Sequence, residues 1–428
     1  MKISIIGLGY VGLPLAVEFS KLYETVGYDV NEKRVREIKA SIDINGDIEG
    51  GILSNLNAKI TDSVDDISDS DVYIITVPTP IDENNDPDMT LLMSACKTVG
   101  RYLARDNIVI FESTVYPGTT EEICAPILES ESGLTYINEK NKNTILDGGF
   151  YCGYSPERIN PGDKEHYLTD ILKITSGSTN EVAKKVDDLY KSIIIAGTYL
   201  AQSIKVAEAA KIIENTQRDV NIALINELSI IFKKMNIDTK DVLDAADTKW
   251  NFSRFDPGLV GGHCIGVDPY YLAYKSIQVG HIPEMILSGR KINDGMPKVI
   301  AGQIEQLVKQ QKKELSSCKI LIMGLAFKKD CKDLRNSKVF DLASILNNYG
   351  STIEVYDPIV NQDEIGIDSS YTIIQEPKKG YYDVIIIAVD HKLFIDIGID
   401  KIKDFGNEDL ITFDVKSVFP PDKTTSRL

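Results

Sequence analysis

At 428 residues the chain is too long for one ordinary core and suits two or three domains. A hydrophobic fraction of 43% with 26% charged residues is that of a soluble globular protein, and a net charge of −17 argues against a nucleic-acid partner, whose phosphates need a basic surface. Six scattered cysteines (96, 124, 152, 264, 318, 331) form no CxxC pair and no metal-ligand spacing, which points to a reducing cytoplasm and no metal; no apolar run approaches the ~18 residues of a membrane span.

Residues 2–6 alternate β-formers and predict a strand, not a signal peptide. Gly7-Leu8-Gly9-Tyr10-Val11-Gly12 follows, then an amphipathic helix to about Lys21 and a second strand ending at Gly27-Tyr28-Asp29. Strand, GxGxxG turn, helix and an acid closing the next strand form the pattern of a dinucleotide site. The glycines let a pyrophosphate approach the helix N-terminus, and Asp29 would accept from the adenosine ribose hydroxyls while repelling a 2′-phosphate, which favours NAD over NADP. A helix over 31–40, strands at 59–61, 71–80 and 107–114, and helices over about 90–104 and 119–130 continue the alternation, predicting a parallel sheet covered on both faces. Thr79 and Ser113-Thr114 stand at strand ends, where such sheets bind ligands.

Residues 134–148 are polar and aperiodic and predict a solvated loop. After another strand, Tyr154-Ser155-Pro156-Glu157-Arg158-Ile159-Asn160-Pro161-Gly162 places a carboxylate and an arginine in a loop stiffened by prolines. From Gln202 to Met235 there is no Pro or Gly, and the apolar spacing predicts one long helix, suited to join two domains and to form a dimer surface. Lys211, Asn215 and Arg218 fall at i, i+4 and i+7 on one face, and Asn215 has no propensity reason to be in a helix.

Helices over 238–246 and 282–311 flank an irregular stretch, Pro257 to Tyr271, in which Cys264 sits among glycines with His263 beside it and Asp268 four residues on. Missing side chains at Gly261, Gly262 and Gly266 would give a substrate access to the thiol, so Cys264 is the candidate nucleophile. From Lys319 the chain echoes its beginning. Lys319 to Leu325 parallels Lys2 to Leu8, Asp383 to Val389 parallels Asp71 to Val77, and Tyr356-Asp357 stands where Tyr28-Asp29 stood. This second Rossmann-like domain lacks GxGxxG, and its first turn, Lys328 to Arg335, is basic, as a diphosphate would require. A thiol between two nucleotide domains suits oxidation of an alcohol through an aldehyde to an acid. The second hydride then leaves from a thiohemiacetal on Cys264, with Glu157, Asp268 and a Thr114-held water as candidates for hydrolysing the thioester, and Lys211 and Asn215 for the oxyanion.

These motifs resemble the UDP-glucose/GDP-mannose dehydrogenase family over nearly the whole chain, through Gly7 to Pro14, Glu112-Ser113-Thr114-Val115, Ser155-Pro156-Glu157-Arg158, Glu208 to Asn215, Gly261-Gly262-His263-Cys264 and Phe327-Lys328-Lys329-Asp330. The resemblance implies two Rossmann-like doubly wound parallel-sheet α/β domains joined by a long central helix. An NAD-binding domain over 1–200, a helical domain with the cysteine loop and dimer interface over 201–312, and a UDP-sugar-binding domain over 313–428 are expected. It implies Cys264 as nucleophile supported by Lys211, Asn215, Glu157, Asp268 and Thr114. NAD contacts are expected from Gly7, Gly9, Tyr10, Val11, Gly12, Asp29, Arg34, Thr79, Thr114 and Arg335, and sugar-nucleotide contacts from Arg158, Ile159, Lys211, Asn215, Arg218, Gly261, Phe327 and Lys328. The form around Cys264, with Val267 where UDP-glucose enzymes carry lysine, resembles the branch acting on UDP-N-acetylhexosamines, above all the N-acetylglucosamine enzymes of capsular and Vi-type polysaccharide pathways. UDP-glucose and UDP-N-acetylmannosamine are the alternatives. Residues 134–148, read as an insertion, and Thr248-Lys249-Trp250-Asn251, in place of a more basic segment, leave the sugar epimer open. A two-electron 3-hydroxyacid-type dehydrogenase or a non-catalytic nucleotide-binding protein shares the plan but has no use for Cys264.

Overall fold

A computed structural model describes residues 1–44, 46, 48, 50–145, 148–159, 167–262, 264–361 and 370–428. His263, Asn160 to Gly162 and residues 146 and 147, all within stretches singled out above, lie outside the described residues. The chain forms two compact units, Met1–Glu214 with Tyr270–His281, and Asn215–Pro269 with Ile282–Leu428.

In the first unit, strands β1 (Lys2–Ile6), β2 (Glu24–Tyr28), β3 (Lys59–Thr61), β4 (Val72–Ile75), β5 (Ile108–Phe111), β6 (Thr135–Tyr136) and β7 (Gly149–Tyr154) form one sheet in the order β3-β2-β1-β4-β5-β7-β6, every pairing parallel. Continuous apolar strands are buried on both faces; Ile3, Ile5, Ile74 and Ile110 join Leu13, Ala16, Val186 and Tyr190 in one core cluster. The segment 134–148 is the solvated loop its composition predicts only in part: residues 138–145 are exposed or half-buried and outside any helix or strand, but its start is not loop. It opens with β6 at the sheet edge, where Tyr136 is buried with its ring centroid 5.9 Å from that of Phe150. Two residues are too short for alternation to show. The helices over 90–104 and 119–130 are also adjusted: the first ends at Gly100, and the second starts with a π-helical turn at Thr120–Cys124 before its α-helical part, Ala125–Ser132. A separate parallel pair, β8 (Lys173–Thr175) and β9 (Thr198–Leu200), escaped the pattern for the same reason as β6.

In the second unit, β10 (Lys319–Met323), β11 (Thr352–Tyr356), β12 (Thr372–Ile373), β13 (Tyr382–Ile387), β14 (Gly406–Asp414) and β15 (Ser426–Arg427) form a parallel sheet in the order β12-β11-β10-β13-β14-β15. The two sheets share a doubly wound order, and the echo reaches single atoms. Gly7 and Gly324 take φ +97° and +94°; their N–H groups reach Tyr28 O at 2.8 Å and Tyr356 O at 2.9 Å. The next residues, Leu8 and Leu325, each donate to an aspartate, Asp29 or Asp357, at 2.7 Å.

The long helix is Ile204–Lys234; its residues to Glu214 belong to the first unit and those from Asn215 to the second. The glycine-rich stretch is shorter than the sequence suggests, because Asp268 opens a helix, Asp268–Gln278, in which Pro269 occupies a first-turn position that its fixed φ suits. Tyr270–His281 thereby returns to the first unit, where Tyr271 donates to Thr79 O at 2.7 Å and Lys275 to Glu122 at 2.7 Å. Among the described residues no helix is long and apolar enough to cross a membrane.

Candidate active site

The dinucleotide motif is built as its spacing requires. A Cβ on Gly12 would lie 1.8 Å from Gly7 O, so glycine alone lets the helix Gly12–Ser20 begin this close to the turn. A Cβ on Gly9 would meet nothing within 4 Å, so that missing side chain leaves room for something other than the protein. Val11 takes the N-cap position and no side chain caps the helix; Leu13 N donates to Gly9 O at 3.1 Å and Pro14 has no N–H, so the Gly12 N–H is the first-turn group left for an anion. Asp29 accepts from Leu8 N at 2.7 Å and Asn31 N at 2.9 Å, and a carboxylate with about four lone-pair sites keeps capacity for ribose hydroxyls. An open cradle, an uncapped helix start and an acid on the second strand fit NAD. Tyr10 packs on the core beneath the turn. Arg34 is buried, with Nε donating to Leu8 O at 2.9 Å and its guanidinium 2.8 Å from Asp43 Oδ1, so it braces the turn. Thr79 donates to Thr114 O at 2.6 Å and ties together the loops after β4 and β5.

Beyond β5 and β7 lie two buried carboxylates. Glu112 holds Lys173 Nζ at 2.5 Å and the Tyr190 hydroxyl, and burial, against the pull of Lys173, pushes its pKa up to about 7. Glu157 accepts from Ile159 N through Oε1, while its buried Oε2 meets no hydrogen-bond donor among the described residues. Such an oxygen is able to take a proton from a water brought to it. Arg158 pairs with Glu214 at 2.8 Å and donates to Leu172 O at 2.8 Å. Lys211 is buried on the long helix, and Glu208, one turn before it, accepts from Gly118 N at 2.5 Å and Thr120 N at 2.9 Å. Glu208 thus caps the helical segment that begins at Thr120, and burial pushes its pKa up to about 7 against those two N–H groups.

In the second unit the cysteine loop is clamped from below. Asn226 accepts from Gly258 N at 2.8 Å and donates to Gly258 O at 3.1 Å and to Asn293 Oδ1 at 2.8 Å. Asn293 in turn donates to Asp219 at 2.7 Å, which Arg290 holds at 2.6 Å. All four side chains are buried, so the network is rigid by necessity. Its residues belong to no sequence motif, although Asn226 lies three helical turns from Asn215 and is the same poor helix former. Further along, Gly262 takes φ +84°, and a Cβ there would sit 2.8 Å from the Phe327 ring. Cys264 is partly exposed, and its carbonyl accepts from Val267 N at 3.1 Å and Asp268 N at 2.9 Å, which sets the thiol-bearing residue just ahead of the helix Asp268–Gln278. Asn215 Nδ2 donates to the buried Asp268 Oδ2 at 2.6 Å, so two of the expected catalytic residues meet. Arg218, on the same helix, is exposed.

A cavity of about 580 Å³ opens beyond the carboxyl ends of β10 and β13, where the strand order of the second sheet reverses. Lys240, Arg254, Lys328, Lys329, Lys338 and Lys416 line it against two acids, Asp256 and Asp390, a cationic pocket in a chain of net charge −17. Size and sign suit a nucleoside diphosphate. Gly261, Phe327 and Lys328, named above as substrate contacts, are on its wall; Arg335, named above as a cofactor contact, is not on it and forms a fork with Asp333, at 2.6 Å and 2.9 Å. Arg254, Lys338 and Lys416 come from separate elements and gave no local signal.

Comparison with known proteins accords with this geometry. Residues 1–194 match the UDP-glucose/GDP-mannose dehydrogenase family, NAD binding domain; residues 205–295 match its central domain and 321–421 its UDP binding domain. The chain is 49% identical to the UDP-N-acetyl-D-glucosamine 6-dehydrogenase of Salmonella typhi, covering 100% of this chain and 99% of that one. It is 47% identical to Protein CapL of Staphylococcus aureus, over 99% and 97% of the two chains. Among solved structures, a UDP-D-ManNAc dehydrogenase from Pyrococcus horikoshii superposes with a TM-score of 0.86 at 31% identity, over 100% of this chain and 98% of that one.

Proposed function

We propose, for a chain that belongs to the UDP-glucose/GDP-mannose dehydrogenase family and is therefore an NAD-dependent UDP-sugar 6-dehydrogenase, that the substrate is a UDP-N-acetylhexosamine, first of all UDP-N-acetylglucosamine. The observation that carries this choice is the full-length likeness to enzymes named for that sugar, at higher identity than to those named for N-acetylmannosamine. Likeness to CapL favours a role in capsular or other surface polysaccharide synthesis.

The proposed chemistry assigns one task to each residue. Bound NAD supplies the hydride acceptor in each of two oxidations. The C6 hydroxyl loses a hydride from carbon and a proton from oxygen, giving an aldehyde; Cys264 Sγ adds to C6 and forms a thiohemiacetal. Loss of the second hydride leaves a thioester, and water breaks the C–S bond, returning the thiolate and releasing the carboxylate. Support for Cys264 comes from its exposure in a loop where Gly261 and Gly262 admit no side chain. Asn215, its amide oriented by Asp268, and Lys211 stabilise the oxyanion, and Glu157, whose free Oε2 is a ready acceptor, takes the proton of the hydrolytic water held by Thr114. Six free cysteines suit a reducing cytoplasm. Val206, Ile213, Leu224 and Ile231 recur at intervals of seven and eleven on the long helix and are all exposed, an apolar stripe suited to a second copy of this chain.

The test is the ratio of NADH formed to sugar consumed, with UDP-N-acetylglucosamine, UDP-N-acetylgalactosamine, UDP-N-acetylmannosamine and UDP-glucose in parallel. About two NADH per sugar, abolished in Cys264→Ser, is expected on stoichiometric grounds. One NADH per sugar with an unimpaired variant would make this a simple alcohol dehydrogenase. Light scattering that gives a monomer mass at working concentration would remove the dimer.

A further inference from the structure

Two irregular loops form much of the cationic cavity wall, one after β10 (Ala326, Phe327, Lys328, Lys329) and one after β13 (Ala388, Val389, Asp390). A single imidazole links them. His391 is wholly buried; its Nδ1 accepts from Asp330 N at 2.9 Å, and its Nε2 lies 3.1 Å from Asp357 Oδ2. A backbone N–H is an obligatory donor, so Nδ1 is the acceptor, and Nε2 carries the proton and donates to Asp357. Asp357 Oδ2 also accepts from Leu325 N at 2.7 Å and Ala326 N at 3.2 Å, at the start of the first loop. Lys392 N closes the circuit on Asp330 Oδ1 at 2.9 Å. Asp330 itself has φ +52°, a left-handed conformation that costs a residue with a Cβ about 1 kcal/mol and persists only where neighbours impose it.

The contrast with the first unit gives the cluster its meaning. Asp29 keeps acceptor capacity for a ribose, whereas Asp357, its counterpart, is occupied by the protein's own histidine. Burial would raise the pKa of Asp357, but His391 and the backbone N–H groups hold it below the usual carboxylate range. In this sheet the acid no longer reads a ligand; it fastens the loop that carries Lys328 and Lys329.

We propose that Asp357, His391 and Asp330 are positioning residues, a buried clasp that holds Lys328 and Lys329 at the cavity wall and so sets the affinity for the diphosphate of the nucleotide. This rests on the assignment of that cavity to a UDP-sugar. None of the three has to touch the ligand, so the clasp governs binding and leaves the chemical step and the NAD cradle alone.

The experiment is calorimetric titration of the full-length protein with UDP and, separately, with NAD. His391→Ala is expected to weaken UDP about tenfold, the worth of one well-made buried hydrogen-bond link, with NAD affinity unchanged. His391→Asn, whose carboxamide offers an acceptor and a donor in place of the two ring nitrogens, should recover most of that loss. Should His391→Ala not fold, Asp330→Gly retains the N–H to His391 and loses only the bond from Lys392; UDP should then bind about threefold more weakly. Unchanged UDP affinity in a folded variant, or parallel losses for UDP and NAD, would overturn the clasp. Failure of the wild type to bind UDP would overturn the UDP-sugar assignment itself, and the clasp with it.

Discussion

Asn226 grips both polar atoms of the Gly258 backbone, accepting from its N–H at 2.8 Å and donating to its carbonyl at 3.1 Å. Gly258 has φ +150°, and the loop it begins leads to Cys264. Asn226→Ala leaves Gly258 N and O and Asn293 Oδ1 without their partner in a buried setting, at a cost of about 2–4 kcal/mol. Urea unfolding should show that loss, and kcat should fall with it because the loop is no longer held. A variant as stable and active as wild type would mean that the loop is fixed from elsewhere.

Gly9 and Gly12 separate cofactor space from protein space. At Gly12 a Cβ would collide with Gly7 O at 1.8 Å, whereas at Gly9 it would meet no protein atom within 4 Å. Gly12→Ala should therefore lower the melting temperature and abolish NAD binding together. Gly9→Ala should melt as wild type yet bind NAD at least about tenfold more weakly, because the added methyl lies where the pyrophosphate passes. NAD titration and thermal melts of the pair decide the matter, and full NAD affinity in Gly9→Ala would displace the cofactor from this turn.

Asp268 and Asn215 meet at 2.6 Å, a charge-assisted bond. Asp268→Asn removes the charge and the fixed orientation of the amide while keeping the volume. A fall in kcat of about a hundredfold, with a modest change in KM, is expected of groups that act on the developing oxyanion. Steady-state kinetics with the preferred UDP-sugar would show it; loss confined to KM would assign the pair to ground-state binding.

The pH dependence of stability should carry the mark of Glu208. Its folded pKa of about 7 stands above the ordinary 4.5, with burial the main cause. Between those values the folded chain keeps a proton that the unfolded chain has released, so stability is greatest below about pH 4.5 and declines as pH rises through 7, by up to about 3 kcal/mol for this group. Melting temperatures should fall between about pH 5 and 7, and Glu208→Gln should reduce that slope, which Glu112 shares, whatever its effect on absolute stability. An unchanged slope would show that Glu208 is ionised when folded.

Much of the fold was legible because it is written locally and twice. Gly7 to Gly12 and Asp29 form a pattern within thirty residues, and the repeat from Lys319 announced the second sheet, including the place of Asp357. What Asp357 does there was not legible, since its histidine lies in another loop and is brought to it by the sheet. The helix starting at Asp268 was masked by the glycines before it, and β6, β8 and β9 by their shortness. At the site, Cys264, Asn215 and Asp268 stood out through residue types that their neighbourhood does not explain. Asn226 offered the same signal but in no recognised motif. The cations Arg254, Lys338 and Lys416 offered none, because a pocket assembled from separate elements has no linear spacing.

The return of Tyr270–His281 to the first unit has a consequence for how the chain comes off the ribosome. Tyr271, wholly buried, donates to Thr79 O and Pro80 O, and the Tyr274 ring lies 5.5 Å from that of Tyr116. The first sheet can form as soon as β7 has emerged, yet the loops after β4 and β5 stay uncovered until residue 281 is made. A fragment ending at Glu214 would lack Tyr271 and Tyr274 and leave the Tyr116 ring and the loop at Thr79 and Pro80 open to water. Expression of the NAD-binding part alone therefore needs Tyr270–His281 grafted on, or it will aggregate.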